Sequence, residues 1–177
     1  MEDKKITEIV ARVVSELTAG GITAGQGSRS GQSGKEPQDV TLKMAVKLIE
    51  QIEAEAARMG LNAVIAVANK GGRPVAVHCM DESYIASYDI ALNKAYTCAA
   101  LKMSTSKLKE LSQPGRDLYG IQHTNNGQIV IFGGGVPICC GGKVIGGLGV
   151  SGGSEAQDIA LAEYGERMIK EALDVWQ

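Results

Sequence analysis

Residues 128–153 read QIVIFGGGVPICCGGKVIGGLGVSGG, and this stretch decides the fold. Three short apolar runs, QIVIFG (128–133), VPICC (136–140) and KVIGGLGV (143–150), are cut by Gly-Gly-Gly and Gly-Gly, which accept turn dihedrals without strain. With IQHT (121–124) ahead of an Asn-Asn-Gly turn, they predict an antiparallel meander. Ser154, with Gln157 three residues on, predicts a capping box that opens a last helix carrying Ile159, Met168, Ile169, Leu173 and Trp176.

Upstream, NAVIAVANK (62–70) is a continuous apolar run of strand length, and Gly71-Gly72 turns it into PVAVHCM (74–80), a β-hairpin. Before the hairpin, Leu42, Ala45, Val46, Leu48, Ile49 and Ile52 recur at helical spacing, and Gly60 supplies the stop. After it, a longer helix is predicted from Ser83 to Met103, with Ile85, Tyr88, Leu92, Ala95, Tyr96 and Ala99 on its apolar face. Ser104-Thr105 then caps a short helix ending near Leu111. The order α-ββ-αα-ββββ-α predicts an α+β domain with a five- to six-stranded antiparallel sheet flanked by helices, rather than a Rossmann arrangement.

The 177 residues, 44% of them hydrophobic, suffice for one substantial core. A net charge of −2 offers no broad basic surface, which argues against nucleic acid or anionic membrane as partners. No apolar run reaches the roughly 18 residues of a membrane span, and the opening MEDKK has no apolar signal core behind it, so the expected location is the cytoplasm. Cys79, Cys98, Cys139 and Cys140 make no C-x-x-C pair and are expected to be reduced, structural thiols.

Residues 1–18 and 19–38 differ from the domain expected at 39–177. In the first, Ile6, Ile9, Val10, Val13, Val14 and Leu17 share one helical face, with Lys5, Glu8, Arg12, Ser15 and Glu16 on the other. In the second, Gly, Ser, Gln and Ala dominate and Ile22 is the single large apolar residue, the composition of a flexible linker. A helix this short is marginal alone, so it is expected to dock, either on its own domain or oligomer or in the groove of a separate partner. Mixed charges on its polar face argue against a membrane surface.

Gly147-Leu148-Gly149-Val150-Ser151-Gly152 matches G-x-G-x-x-G, but too few residues follow its helix for the next parallel strand and ribose-binding acid of a dinucleotide site. The helix N-terminus behind it still offers N–H groups to an anion such as a ligand carboxylate. Gly133, Gly134 and Gly135 read as a turn, or as the lip of a slot where a flat ligand approaches the backbone. His78 and His123, the chain's two histidines, are the candidate iron ligands; Met80 is a possible second axial ligand, Asp81 a possible orienter, and Tyr119 lies near His123. There is no G-x-S-x-G elbow and no H-E-x-x-H, so an independent catalyst is not indicated.

The runs MDESYIASYDIALNKAYTCAALKMST (80–105), QPGRDLYGIQHTNNGQIVIFGGGVPI (113–138) and KVIGGLGVSGGSEAQD (143–158) resemble the GlcG/HbpS family, or haem-degrading domain family. The likeness covers roughly residues 40 to 177 and is nearest to the C-terminal domain of PduO proteins. It implies a profilin-like α/β/α sandwich, assembly into homo-oligomers from dimer to octamer, and haem b as cofactor, with His78, His123, Met80, Tyr119 and Gly133–Gly135 at the site. The adenosyltransferase domain of full PduO proteins is missing, so that activity is not implied. Haem breakdown needs an open distal position and an electron donor, which the sequence does not display.

The N-terminal ITEIVARVVSEL (6–17) resembles encapsulation peptides that load cargo into bacterial microcompartments. Together the two likenesses imply a haem-binding protein of a microcompartment lumen, whose helix contacts shell or cargo protein. The alternatives are another cofactor, flavin or corrinoid, or a ligand-free module that organises compartment enzymes.

Overall fold

The computed structural model describes residues 37–172. The amphipathic segment 1–18, nearly all of the linker 19–38, Leu173 and Trp176 lie outside the described residues. In chain order the described elements are α1 (Leu42–Arg58), β1 (Val64–Asn69), β2 (Pro74–Cys79), α2 (Ile85–Leu101), α3 (Thr105–Leu111), β3 (Gly135–Cys140), β4 (Lys143–Ser151) and α4 (Glu155–Ala172). The strands form one antiparallel sheet in the order β2-β1-β4-β3.

Local signals end the elements where the residue types require it. Thr41 Oγ1 accepts from Met44 N at 3.2 Å and starts α1. At its other end Gly60 takes φ 69°, and the N–H groups of Gly60 and Leu61 donate back to the carbonyls of Ala57 and Ala56, a Schellman stop. The capping box forms as expected: Ser154 N donates to Gln157 Oε1 at 2.9 Å, and Gln157 N to Ser154 Oγ at 3.4 Å. Asn69 Oδ1 accepts from Gly71 N and Arg73 N and holds the hairpin turn.

The unbroken apolarity of β1 has a direct cause, because helices cover both of its faces. Ile65 and Val67 pack in the larger cluster with Leu48, Ile49 and Ile52 of α1 and Leu161 of α4. Val64, Ala66 and Ala68 pack against Ala91 and Ala95 of α2. The result is the expected three-layer α/β/α sandwich.

The sheet has four strands among the described residues, not five to six. Ile121–His123 and Asn125–Gly127 are short 3-10 turns, and residues 129–131 stay outside the sheet. The cause is competition from α2. Thr97 Oγ1 accepts from Val130 N at 3.0 Å and approaches Gln128 O at 3.3 Å, while Asn125 and Asn126 turn the chain at φ 50° and 56°. Ile129 and Val130 are buried nonetheless, which explains their strand-like pattern.

The buried face of α2 keeps Ala95 and Ala99 of the expected one and differs at its N-terminal end. Ile85 is 97% exposed and Tyr88 is exposed, whereas Ser87, Ala91, Lys94, Ala95 and Cys98 face inward. Small residues are required there because β4 approaches the helix backbone directly: a Cβ on Gly147 or Gly149 would overlap the carbonyl oxygen of Ala95 or Ala91. Two glycines of the G-x-G-x-x-G match, Gly147 and Gly149, are therefore helix–sheet contacts, and the third, Gly152, packs against Asn62 and Ala63 ahead of β1. In α1, Leu42 is exposed and Met44 takes the core position expected of it.

Candidate functional site

Lys94 has no exposed side chain, although a lysine ordinarily keeps its ammonium in water. Its Nζ donates to Asp158 Oδ2 at 2.8 Å and to Val150 O at 2.7 Å, and lies 4.9 Å from the centre of the Phe132 ring. Burial pulls its pKa below the usual lysine value, and the bond and charge of Asp158 oppose that shift. The other oxygen of Asp158 accepts from Gly152 N at 3.1 Å and Gly153 N at 3.0 Å. The anion expected at the N-terminus of α4 is thus supplied by the chain itself, with Asp158 in place of a ligand carboxylate.

The Gly133–Gly135 triplet closes over this pair. Added Cβ atoms would meet Ile159 at Gly133, Lys94 Nζ and Asp158 Cβ (each 2.7 Å) at Gly134, and Cys98 Sγ (2.9 Å) at Gly135. The chain's own atoms thus exclude a side chain at all three glycines, and a cleft of about 110 Å³ is lined by Gly134 and Gly135. A cleft of about 270 Å³ lies beside the pair, lined by Tyr84, Ser87, Ile90, Phe132, Ser151 and Glu155 among others. Drug-sized ligands are enclosed by roughly 300–1,000 Å³, so this cleft does not enclose a macrocycle. Glu155 beside it is held below the usual carboxylate pKa by the Gly133 N–H and by Lys109.

His78 lies elsewhere. It sits on the edge strand β2 opposite Ile65, so its ring is on the α1 face, where Nδ1 is 2.9 Å from Glu53 Oε1. Both side chains are about a third exposed, at 36% and 30%. A carboxylate on Nδ1 fixes the tautomer that leaves the Nε2 lone pair free to bind a metal. Met80 is committed to the fold: its sulfur accepts from Ala63 N at 3.4 Å, and its side chain packs on the main core cluster. Glu53, not Asp81, orients the imidazole.

His123 is exposed in its 3-10 turn, where Nε2 lies 3.3 Å from Gln122 Nε2. Its segment is tied to the α2 face through Asn125 Nδ2, which donates to Tyr96 Oη at 3.0 Å. Within one chain His78 thus packs beside α1, whereas the segment carrying His123 is bonded to α2. Gly135 begins β3, the far edge strand, three inter-strand spacings or about 14 Å from β2. Tyr119 is exposed and lies in the same connection as His123. Among the described residues no group of three or more His, Cys, Asp or Glu is placed to hold a metal ion on protein ligands alone.

The thiols sort by burial. Desolvation pushes Cys98 up to about 12, whereas Cys79 and Cys139 are exposed. Because the folded state holds that proton above the unfolded thiol's value of 9.0, Cys98 favours folding below pH 9 and progressively less from there toward 12. Iodoacetamide at pH 8 is expected to label Cys79 and Cys139 in the native protein and to spare Cys98 until denaturant is added, as read by peptide mass spectrometry.

Lys94, Asp158 and Glu53 are the residues that motif reading missed. A signal for Lys94 does exist, since it falls in step with Ser87, Ala91 and Cys98 on the small-residue face, where a cation requires a carboxylate partner. Glu53 had no such signal: it is 25 residues from His78, and only the docking of α1 on β2 brings them together.

These features define a small α/β/α domain with a buried ion pair at one sheet end and a carboxylate-oriented histidine on an edge strand. The chain belongs to the HbpS-like family, described as haem degrading protein HbpS-like, whose model matches residues 40–166. It is 45% identical over 124 residues to a 15.0 kDa protein of Citrobacter freundii from the dhaT-dhaS intergenic region, a match spanning 70% of this chain and 87% of that one. It is 38% identical over 100 residues to the corrinoid adenosyltransferase PduO of the same organism, covering 56% of this chain but 30% of PduO. Among solved structures, the PduOC:haem complex superimposes with a TM-score of 0.70 at 30% identity, over 73% of this chain and 94% of that one. Among the described residues no helix is long and apolar enough to cross a membrane.

Proposed function

We propose that this chain binds haem b through His78 and serves to hold, sense or pass electrons through that haem in the lumen of a bacterial microcompartment. The observation that carries the haem reading is the His78–Glu53 pair, an imidazole at the protein surface with Nδ1 anchored at 2.9 Å and Nε2 left as the donor. The relative solved as a haem complex supports it. Bound haem supplies a redox-active iron. His78 would hold that iron, α1 would keep the ring from rotating, and the edge position of β2 would admit a flat group from the side. His123 has no carboxylate orienter and serves as the control.

Compartment association rests on the apolar stripe Ile6, Ile9, Val10, Val13, Val14 and Leu17 and its likeness to encapsulation peptides, together with the likeness to PduO. In this reading the stripe docks on shell or cargo protein and the domain assembles as a homo-oligomer.

Haem titration by absorbance is expected to give a saturable Soret band that His78→Ala weakens at least tenfold in affinity and His123→Ala leaves in place. Absence of a saturable band at micromolar haem would refute the haem reading and favour a flavin, a corrinoid or a ligand-free assembly role. Deleting residues 1–20 is expected to abolish compartment loading while the domain still folds. Continued loading of that truncation would remove the peptide from the proposal.

A further inference from the structure

We infer that Glu53 is a positioning residue for the haem iron: it accepts the Nδ1 proton of His78 and, through the ring, sets the electron richness of Nε2. The inference rests on His78 as the iron ligand and adds the residue that tunes it. His78 and Glu53 come from different elements, β2 and α1, so their 2.9 Å contact is made by tertiary packing and not by sequence proximity. Asp81, three residues from His78 in sequence, has no such contact with it among the bonds of the described residues.

The chemistry runs in one direction. An imidazole that donates Nδ1–H to a full carboxylate gains imidazolate character and becomes a stronger σ-donor at Nε2. Such a ligand stabilises ferric over ferrous iron, so the carboxylate holds the haem potential down. It also prevents the other tautomer, in which Nε2 carries the proton and has no lone pair for a metal. A hydrogen bond whose two side chains are each about a third exposed contributes little to folding, which separates a tuning role from a structural one.

The test uses the full chain reconstituted with haem b, as wild type and as Glu53→Gln, Glu53→Ala and His78→Ala, with melting of each apo protein as a folding check. Spectroelectrochemistry is expected to place the Glu53→Gln midpoint above wild type. A tenfold loss of ferric preference corresponds to about 59 mV for one electron. Resonance Raman of the ferrous form should show the iron–imidazole stretch at lower frequency in Glu53→Gln, and Glu53→Ala should bind haem roughly ten- to a hundredfold more weakly. If His78→Ala abolishes the Soret band while Glu53→Gln leaves potential and stretch at their wild-type values, the role of Glu53 is overturned and His78 stands as the ligand. If His78→Ala binds haem as wild type does, the ligand assignment and the inference fall together.

Discussion

Gly149→Ala will lower the melting temperature by roughly 10 °C, the equivalent of about 3 kcal/mol for a domain of this size. The added methyl has nowhere to go: its position overlaps the Ala91 carbonyl oxygen and comes within 2.6 Å of Ala95 N and 2.9 Å of Lys94 Cβ. Two of these three atoms are helix backbone, which does not rotate aside as the end of a side chain would. Moving α2 outward to relieve the overlap would open its contacts with Val64, Ala66 and Ala68 along the sheet. Gly147 stands against Ala95 and Ala99 in the same way and should show the same behaviour. Gly60→Ala makes the contrast, since nothing lies within 4 Å of its added methyl and only φ 69° is strained. It should cost about 1 kcal/mol. Thermal unfolding followed by circular dichroism measures all three, and a Gly149→Ala protein as stable as wild type would contradict the close packing of α2 on β4.

The second large effect is expected at the buried ion pair. Lys94→Met leaves Asp158 charged, 4% exposed and without its cation, and Asp158→Ala leaves the ammonium of Lys94 and the N–H groups of Gly152 and Gly153 without their shared acceptor. Each should destabilise by about 3–5 kcal/mol, because removing one partner leaves an uncompensated charge in the interior. The double substitution Lys94→Met with Asp158→Asn should be less destabilised than the sum of the singles. Its interior holds no lone charge, and Asn Oδ1 can still accept from the glycines. Additive losses in urea unfolding would show that the two residues act independently.

The pair also explains why part of the fold was legible and part was not. Turns and caps depend on a few neighbouring residues. Gly60 as a helix stop, the Ser154–Gln157 box and the hairpin at Gly71-Gly72 were therefore readable, and each took the conformation its residues predict. Residues 128–131 show the limit. Their continuous apolar run is that of a buried strand, yet Thr97 from another element claims the backbone groups a strand partner would use. The apolar face assigned to α2 held at Ala95 and Ala99 but not at Ile85 and Tyr88, for a related reason. Hydrophobic periodicity identifies large apolar side chains as core, but a helix pressed against glycines buries its smallest residues and turns Ile85 and Tyr88 outward.

At the site the division is the same. The two histidines were named from the sequence because histidine is scarce in it and its chemistry is specific. Their placement beside different helices, the packing of Met80 against the core and the choice of Glu53 over Asp81 came from tertiary contacts. Sequence by itself determined the class of fold, the ends of most elements and the family, because those depend on local dihedral preferences and motif spacing. Tertiary structure alone decided which charges meet inside the molecule and which carboxylate faces His78. Those pairings join residues 25 to 64 positions apart, and no local preference encodes them.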